Sequence, residues 1–317
     1  LSGEEAVQTI RLNPVSVSGD SENYVIPPHT LYGDYPPKIA EALIKPVEET
    51  GEIVLSRVVV PEYVIVHDGV PDDSTAMNYY VRYPDYIKNV AASEIYATWP
   101  ADTIRANVLA IMSFTLNRVY TEWYRNKLKD FTITSSTAYD QKWMPGRNTF
   151  ENIDRIVDEL INHYLSKPGV SQPIFTWYCD GQRATCENGM TQWGSKFLGE
   201  EGYTPIQILR YYYGSTLYIN TADEIAGIPS SWPGTDLSVG SRGPKVRQMQ
   251  MQLNRISDNF TLIPKISVDG IFGPATEEAV RVFQSVFDLP ATGIVDFPTW
   301  YKISNVYVGV TRIAEPY

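Results

Sequence analysis

The sequence predicts an α+β protein in which a mixed domain of strands and helices precedes a small unit of three helices. Two segments rich in β-branched residues, over positions 53–60 and 63–66, predict strands. Long segments with apolar residues at steps of three and four follow them and predict helices. A stretch containing Pro, Ser and Gly then separates this part from a purely helical one. We therefore expect an N-terminal extension over residues 1–60, a mixed domain over 61–224, a linker over 225–236 and a helical domain over 237–317.

Within the mixed domain, strands and helices are predicted to alternate. A helix over residues 85–95 ends before Trp99-Pro100, and Asp102 is placed to cap a second helix that runs to about residue 126. The apolar stripe of this second helix is broad, so we expect it to lie at the centre of the domain. The remaining predicted elements are a strand over 131–134, a helix over 149–165, a strand over 173–178 and a helix begun by Thr204 and Pro205.

Composition and charge exclude several classes of partner. With 43% hydrophobic and 20% charged residues, the 317-residue chain has the composition of a globular protein. Its net charge of −11 argues against nucleic acid and anionic lipid as partners, because both are bound through clusters of Lys and Arg. No apolar run approaches the roughly 20 residues that cross a membrane. A polymeric target would have to be recognised by stacking and hydrogen bonds, which the 22 Tyr and 7 Trp can supply.

The first residue bears on how the chain is made. The chain begins at Leu1 and not with Met, and no basic-then-apolar signal pattern follows. We therefore expect a processed product, with an upstream activating protease among its partners.

Glu94 is the most distinctive ionisable residue of the sequence. It lies in an otherwise apolar helical segment, directly before the second helix. Burial disfavours a charged carboxylate, so the pKa of Glu94 should be raised, which suits a general acid that works near neutral pH. A Glu on the exposed face of an ordinary amphipathic helix fits the spacing equally well.

The two cysteines, Cys179 and Cys186, leave three alternatives open. They are too few for a disulfide framework, but six intervening residues with a Gly permit a local disulfide. Free thiols are the second alternative. A metal site is the third, although it would need His or acid ligands, and His29, His67 and His163 are all distant in sequence.

The helical C-terminal part carries Gly, Gln, Asp-Gly and Trp residues at fixed spacing. The positions include Gly240, Gly243, Gln250, Leu253, Asp269, Gly270, Phe272, Gly273, Thr276, Phe283, Gln284, Gly293 and Trp300. This pattern resembles the peptidoglycan-binding module found on many wall hydrolases. The resemblance implies a three-helix fold and peptidoglycan glycan strands as the partner, and it explains tethering but no catalysis.

Three separated segments of the mixed domain also form a pattern. They are Tyr86-x-x-x-Val90-x-x-x-Glu94 with the following Trp99-Pro100, then Gln141-x-Trp143-x-x-Gly146, then Gly189-Met190-Thr191-Gln192-Trp193-Gly194. Together they resemble the glycan-cleaving domain of the stage II sporulation protein D family. With the C-terminal module, the arrangement is similar to that of spore cortex-lytic enzymes. The sequence departs from the family at two positions: Met112 stands where the family often has Arg, and Cys186 stands where it commonly has His. The resemblance therefore does not imply the metal or electrostatic support that the family has at these positions.

The resemblance implies a lytic transglycosylase that acts on spore cortex glycan during germination. Glu94 would be the catalytic acid, with no metal and no cofactor, and the protein would be in the spore or associated with the cell wall outside the cell. We name as candidate substrate contacts the aromatic residues Tyr139, Trp143, Tyr178 and Trp193, the loop acid Asp140, and the amides of Gln141 and Gln192. Core packing for the aromatic residues and loop-closing hydrogen bonds for the amides are the alternatives. The rival functions are an N-acetylmuramoyl-L-alanine amidase and a non-catalytic wall-binding accessory protein.

Overall fold

Helices and strands are interleaved in the first part of the described chain, and helices alone form the last part. A computed structural model describes residues 54–55, 57–168, 172–222 and 224–315. The arrangement confirms the α+β prediction and the helical C-terminal unit. Most of the predicted N-terminal extension, and His29 with it, lies outside the described residues.

The mixed part of the chain is built from short strands around one long helix. Its elements are β1 (Val59–Pro61), β2 (Tyr63–His67), β3 (Asn78–Arg82), α1 (Tyr83–Glu94), α2 (Ala101–Tyr120), β4 (Ile133–Thr134), α3 (Glu151–Leu160), β5 (His163–Ser166), β6 (Tyr178–Cys179), β7 (Met190–Thr191), α4 (Gln192–Glu200), α5 (Pro205–Tyr213), β8 (Tyr218–Thr221) and β9 (Glu224–Ala226).

Within the described ranges, the strands pair in four small sheets. Strand β2 pairs antiparallel with β3 and parallel with β4, so that Val66 lies opposite Ile133. Strands β5 and β8 pair antiparallel. Two further pairs are parallel: β6 pairs with β7, and β1 pairs with β9, which is distant from it in sequence.

Helix α2 is the centre of this part, as its apolar stripe predicts. Every residue of α2 except Asp102 is buried, because α1, α3, α4, α5 and β5 all pack around it. Several of its buried polar side chains form hydrogen bonds with other segments. Asn107 donates to Ser195 Oγ at 2.9 Å, and Asn117 donates to the carbonyl oxygen of Pro173 at 2.8 Å.

Two predicted helix ends are wrong. Helix α2 ends at Tyr120 and not near residue 126, because Glu122 adopts a left-handed backbone with φ of 47°. Helix α3 ends at Leu160 and not at residue 165, because residues 163–166 form β5 against β8. The cap predicted at Asp102 is also wrong, because Pro100 occupies the N-cap position and Asp102 lies in the first turn of α2. At Thr204 the prediction is confirmed, since a capping box with Gln207 begins α5.

The C-terminal unit consists of α6 (Pro244–Ser257), α7 (Pro274–Val286) and α8 (Phe297–Thr311) around a separate apolar core. Val246, Leu253, Phe272, Phe283 and Trp300 fill that core. None of the helices in the described ranges is both long and apolar enough to cross a lipid bilayer.

Two buried glutamines close the loops of this unit in the same way. The Gln250 amide donates to Asp269 Oδ1 at 3.0 Å and accepts from the Gly270 N–H at 2.8 Å. The Gln284 amide donates to the Ile294 carbonyl at 2.8 Å and accepts from the Gly293 N–H at 2.8 Å. Gly270 and Gly293 both have positive φ, of 74° and 75°, which explains why glycine occupies these turns.

A hydrogen-bonded seam joins the two parts, and we define it by Glu122, Ser231, Trp300 and Tyr301. The Ser231 N–H donates to Glu122 Oε1 at 2.8 Å, and the Ser231 hydroxyl donates to Glu122 Oε2. Trp300 Nε1 donates to Ser231 Oγ at 3.0 Å, and the Tyr301 hydroxyl donates to Glu122 at 3.3 Å. Burial raises the pKa of Glu122 despite these donors. The segment predicted as a linker therefore begins in β9 and continues into buried contacts at Ser231.

Candidate active site

A cleft of about 890 Å³ opens beside the C-terminal end of α1. The end of α1, the loops over residues 135–144 and 177–185 and the first turn of α4 form its walls. Six of the residues singled out from the sequence line it together, namely Glu94, Asp140, Trp143, Tyr178, Gln192 and Trp193. Gln141 and Tyr139 are not among the residues that line it.

Glu94 is the last residue of α1, and the packing of that helix directs it to the cleft. Tyr83, Tyr86, Ile87 and Val90 are fully buried and fix the apolar face of α1 against the core. Glu94 is only partly exposed, although it lines the cleft. The carbonyl end of a helix also carries partial negative charge, which makes an ionised carboxylate there less favourable.

Three donors converge on the Glu94 carboxyl group. The backbone N–H of Lys142 donates to Oε1 at 2.7 Å, and Gln192 Nε2 donates to Oε2 at 3.0 Å. The Tyr178 hydroxyl is the third donor. Burial raises the pKa of Glu94 to about 7, and the hydrogen bonds from these donors oppose that rise. Both protonation states of Glu94 are therefore accessible near neutral pH.

Gln141 lies behind the cleft and orients Tyr178. Its amide oxygen accepts from the hydroxyls of Tyr86 at 3.0 Å and Thr115 at 2.8 Å. Its amide nitrogen donates to the Ile111 carbonyl at 3.1 Å and to the Tyr178 hydroxyl oxygen at 3.0 Å. Because the Tyr178 oxygen accepts from Gln141, its proton is directed to Glu94. The side chain of Gln141 is completely buried, and its bonds are all used within the protein.

Asp140 lines the cleft but is committed to a buried ion pair. Its Oδ1 accepts from Arg118 Nε at 2.8 Å, and both side chains are buried. Its Oδ2 accepts from the Tyr124 hydroxyl at 2.5 Å and from the Thr134 N–H at 3.0 Å. A carboxylate that accepts this many hydrogen bonds anchors the loop over residues 135–144 to α2.

Asp180 closes the loop on the opposite wall. Its Oδ1 accepts from the N–H groups of Gln182, Arg183 and Ala184, each at 3.0 Å, and these bonds lower the pKa of Asp180. A disulfide joins Cys179 to Cys186 across the same loop, which decides among the three alternatives for the cysteines. Among the acids that line the cleft, Glu94 therefore has a raised pKa and Asp180 a lowered one.

Aromatic side chains line both walls of the cleft. On one wall Trp143 packs against Tyr79, with ring centroids 5.2 Å apart. On the other, Trp193 packs against Tyr96 and Trp99, at 5.8 Å and 5.3 Å. Tyr139 is nearly half exposed but lies outside the lining. Trp143, Tyr178 and Trp193 therefore remain as candidates for contact with a sugar.

Sequence reasoning missed several lining residues. Lys142 and Arg183 place two cations at the cleft of a protein with a net charge of −11. Tyr96 and Trp177 add aromatic surface. Lys142 stands between Gln141 and Trp143, two residues that were predicted to contact substrate. Its position in that segment is the sequence feature that could have identified it.

His67 and His163 are not among the residues that line the cleft. His67 is buried, stacks on Phe131 and bonds to Asn78 Oδ1 at 2.8 Å. In the part of the chain that the structure describes, no three His, Cys, Asp or Glu side chains are grouped so that they could hold a metal ion.

The raised pKa of Glu94 predicts a specific dependence of stability on pH. Because folding raises this pKa from 4.5 to about 7, the folded state binds more protons in that window and its free energy of unfolding falls as pH rises through it. E94Q removes this penalty, while Gln192 can turn its amide oxygen toward the new amide. We expect E94Q to gain stability over the wild type as pH rises from 4.5 to about 7, by at most about 3 kcal/mol. Denaturant unfolding of both proteins over a pH series measures this gain. A difference in their free energies of unfolding that does not vary with pH would contradict the prediction.

Comparisons with known proteins agree with a protein of the cell wall. A family model described as a putative peptidoglycan binding domain matches residues 242–303, which confirms the prediction for the C-terminal unit. A zinc D-Ala-D-Ala carboxypeptidase of Streptomyces albus G is 44% identical over 73 residues, which make up 23% of this chain and 27% of that protein. The chain thus matches about a quarter of the length of that relative. The match to the peptidoglycan binding domain supports cell-wall association and peptidoglycan as a partner.

Proposed function

We propose that this protein is a peptidoglycan lytic transglycosylase in which Glu94 is the single catalytic acid and base. The observation that carries the proposal is the contrast among the three acids of the cleft. Asp140 is neutralised by Arg118, Asp180 closes its own loop, and Glu94 is held with a pKa of about 7. Hydrolysis by a retaining or inverting glycosidase needs two carboxyl groups, whereas transglycosylation needs one.

The chemistry proceeds in two proton transfers at the same carboxyl group. Protonated Glu94 gives its proton to the glycosidic oxygen between MurNAc and GlcNAc while the bond from that oxygen to the anomeric carbon breaks. The 6-hydroxyl oxygen of the same MurNAc bonds to the anomeric carbon, and its proton passes to ionised Glu94. The products are a GlcNAc end with a free hydroxyl and a 1,6-anhydromuramic end. No water is consumed, and Glu94 returns to its starting state.

The donors around Glu94 suit this cycle. While Glu94 is ionised between the two transfers, it accepts hydrogen bonds from Lys142 N–H, Gln192 and Tyr178. Burial alone would make that ionised state costly, and the donors offset part of the cost. A pKa near the working pH allows one group to act as acid and then as base.

The substrate and location are proposed on the sequence resemblance. The peptidoglycan-binding domain holds the enzyme on its insoluble polymer, and the resemblance favours spore cortex as that polymer. Action during germination is part of the same proposal.

Mass spectrometry of sugars released from purified spore cortex tests the proposal. We expect fragments that end in anhydromuramic acid, lighter by one water molecule than hydrolysed fragments. Reducing muramic ends would instead indicate a hydrolase with a second carboxyl group. Released stem peptides with intact glycan would indicate the amidase, and binding to the polymer without release of any fragment would indicate the accessory protein.

A further inference from the structure

Aromatic rings continue outward from the cleft along one wall, and we name this surface the aromatic ledge, defined by Tyr96, Trp193 and Phe197. Tyr96 and Trp193 line the cleft, with ring centroids 5.8 Å apart. Phe197 lies one helical turn beyond Trp193 on α4, at 6.5 Å, and is not part of the cleft lining. Tyr96 is 57% exposed and Phe197 is 55% exposed. Large apolar rings exposed side by side are uncommon on a protein surface unless something binds to them.

Buried and charged neighbours hold the rings of the ledge in place. Trp99 lies beneath, almost fully buried, and meets Trp193 edge to face at 5.3 Å. The ammonium group of Lys196 lies 5.7 Å from the Trp193 ring and 5.2 Å from the Phe197 ring, and it forms an ion pair with Glu200 at 2.6 Å. Rings that are fixed before a ligand arrives lose little side-chain entropy on binding.

The ledge begins at the catalytic carboxyl group. Tyr96 lies two residues after Glu94, and Trp193 follows Gln192, whose amide bonds to Glu94. Phe197 then extends the same wall beyond the cleft. A strand that is cleaved at Glu94 and continues along this wall therefore meets Trp193 first and Phe197 next.

We propose that the aromatic ledge binds a sugar of the same glycan strand beyond the two that flank the cleaved bond, so that the enzyme prefers long strands. This inference rests on the proposed function and adds that long strands are the preferred substrate. The continuity of the ledge with the cleft favours the strand itself as the occupant. Aromatic faces pack against the C–H surface of a sugar ring, while the Tyr96 hydroxyl and the Lys196 ammonium suit its hydroxyl edge.

The test compares soluble glycan strands of graded length with the full chain and its variants. We expect F197A to raise KM for long strands about tenfold, equivalent to about 1.4 kcal/mol, and to raise it less for the shortest strand that is cleaved. F197A should change KM and leave kcat nearly unchanged, because Phe197 is remote from the reacting atoms. F197W restores an aromatic face and should restore the preference for long strands. Y211A removes an aromatic ring that is 69% exposed and lies outside the cleft lining, and it serves as the matched control.

The outcomes separate this inference from the proposed function. If the wild type releases anhydromuramic ends and F197A keeps the wild-type preference for long strands, the ledge binds no sugar and the function stands. If F197A lowers the affinity equally for strands of every length, the ring supports the cleft structurally and the inference is overturned. If E94Q cleaves as fast as the wild type, the proposed function fails, and binding of long strands to F197A and wild type by calorimetry still decides the role of the ledge.

Discussion

E94Q is expected to lower the rate of glycan cleavage by about a thousandfold. Gln matches Glu in size, and its amide oxygen can still accept from the Lys142 N–H, so the cleft should keep its shape. In the proposed mechanism, the variant would lose both proton transfers, the one from Glu94 to the leaving oxygen and the one from the 6-hydroxyl to Glu94. The measurement is the rate of appearance of anhydromuramic ends with wild type and variant at equal concentration.

Binding provides the control for this experiment. E94Q should still be pulled down by insoluble peptidoglycan, because the peptidoglycan-binding domain at residues 242–303 is untouched. A variant that binds and still cleaves at the wild-type rate would exclude Glu94 as the acid. A variant that neither binds nor folds would be uninformative about catalysis, and the pH series of unfolding described above detects that case.

The pH dependence of the cleavage rate of the wild type tests whether the loss of activity in E94Q reflects the titration of Glu94. The first step needs protonated Glu94, so cleavage should fall as pH rises above about 7. Y178F removes a donor that favours the ionised carboxyl group, so it should raise the pKa of Glu94 and move this limb to higher pH. A purely structural role for Tyr178 would lower the rate without moving the profile.

D140A should have the largest effect on stability. We expect it to lower the free energy of unfolding by about 3 to 5 kcal/mol, because it leaves the Arg118 guanidinium buried without its carboxylate. The Tyr124 hydroxyl and the Thr134 N–H lose their acceptor as well. Denaturant unfolding, followed by far-ultraviolet circular dichroism, measures the loss.

D140N is the matched control for this prediction. It keeps the shape and one acceptor oxygen but loses the negative charge, so its stability should lie between those of the wild type and D140A. If D140A unfolded at the wild-type denaturant concentration and yet failed to cleave glycan, Asp140 would act on the substrate and the structural assignment would be wrong.

Patterns that are local in sequence predicted the fold well. The central position of α2 followed from apolar residues at helical spacing, and the start of α5 followed from Thr204 with Pro205. Strand β5 was missed because its partner, β8, lies more than 50 residues later in the chain and gives no local signal. The early end of α2 depends on Glu122, whose left-handed backbone is supported by hydrogen bonds from Ser231, again a distant residue.

The same distinction applies to the site. Glu94 stood out because one acid in an apolar helix is a local observation. The assignments of Asp140 and Gln141 could not be made from the sequence, since their partners Arg118, Tyr86 and Tyr178 come from other segments. In sequence, a buried amide that orients a tyrosine and an exposed amide that holds a sugar look alike.

The seam at Glu122 has a consequence for how such an enzyme would work on a solid polymer. Glu122 and Ser231 attach the wall-binding helices to the end of α2, so the binding surface and the cleft keep one distance and one orientation. An enzyme bound to one strand could then reach only those neighbouring strands that pass at that distance. After cutting them it would have to dissociate and bind elsewhere, so the rate of release from the polymer, and not the rate of bond cleavage, would limit how fast a thick wall is degraded.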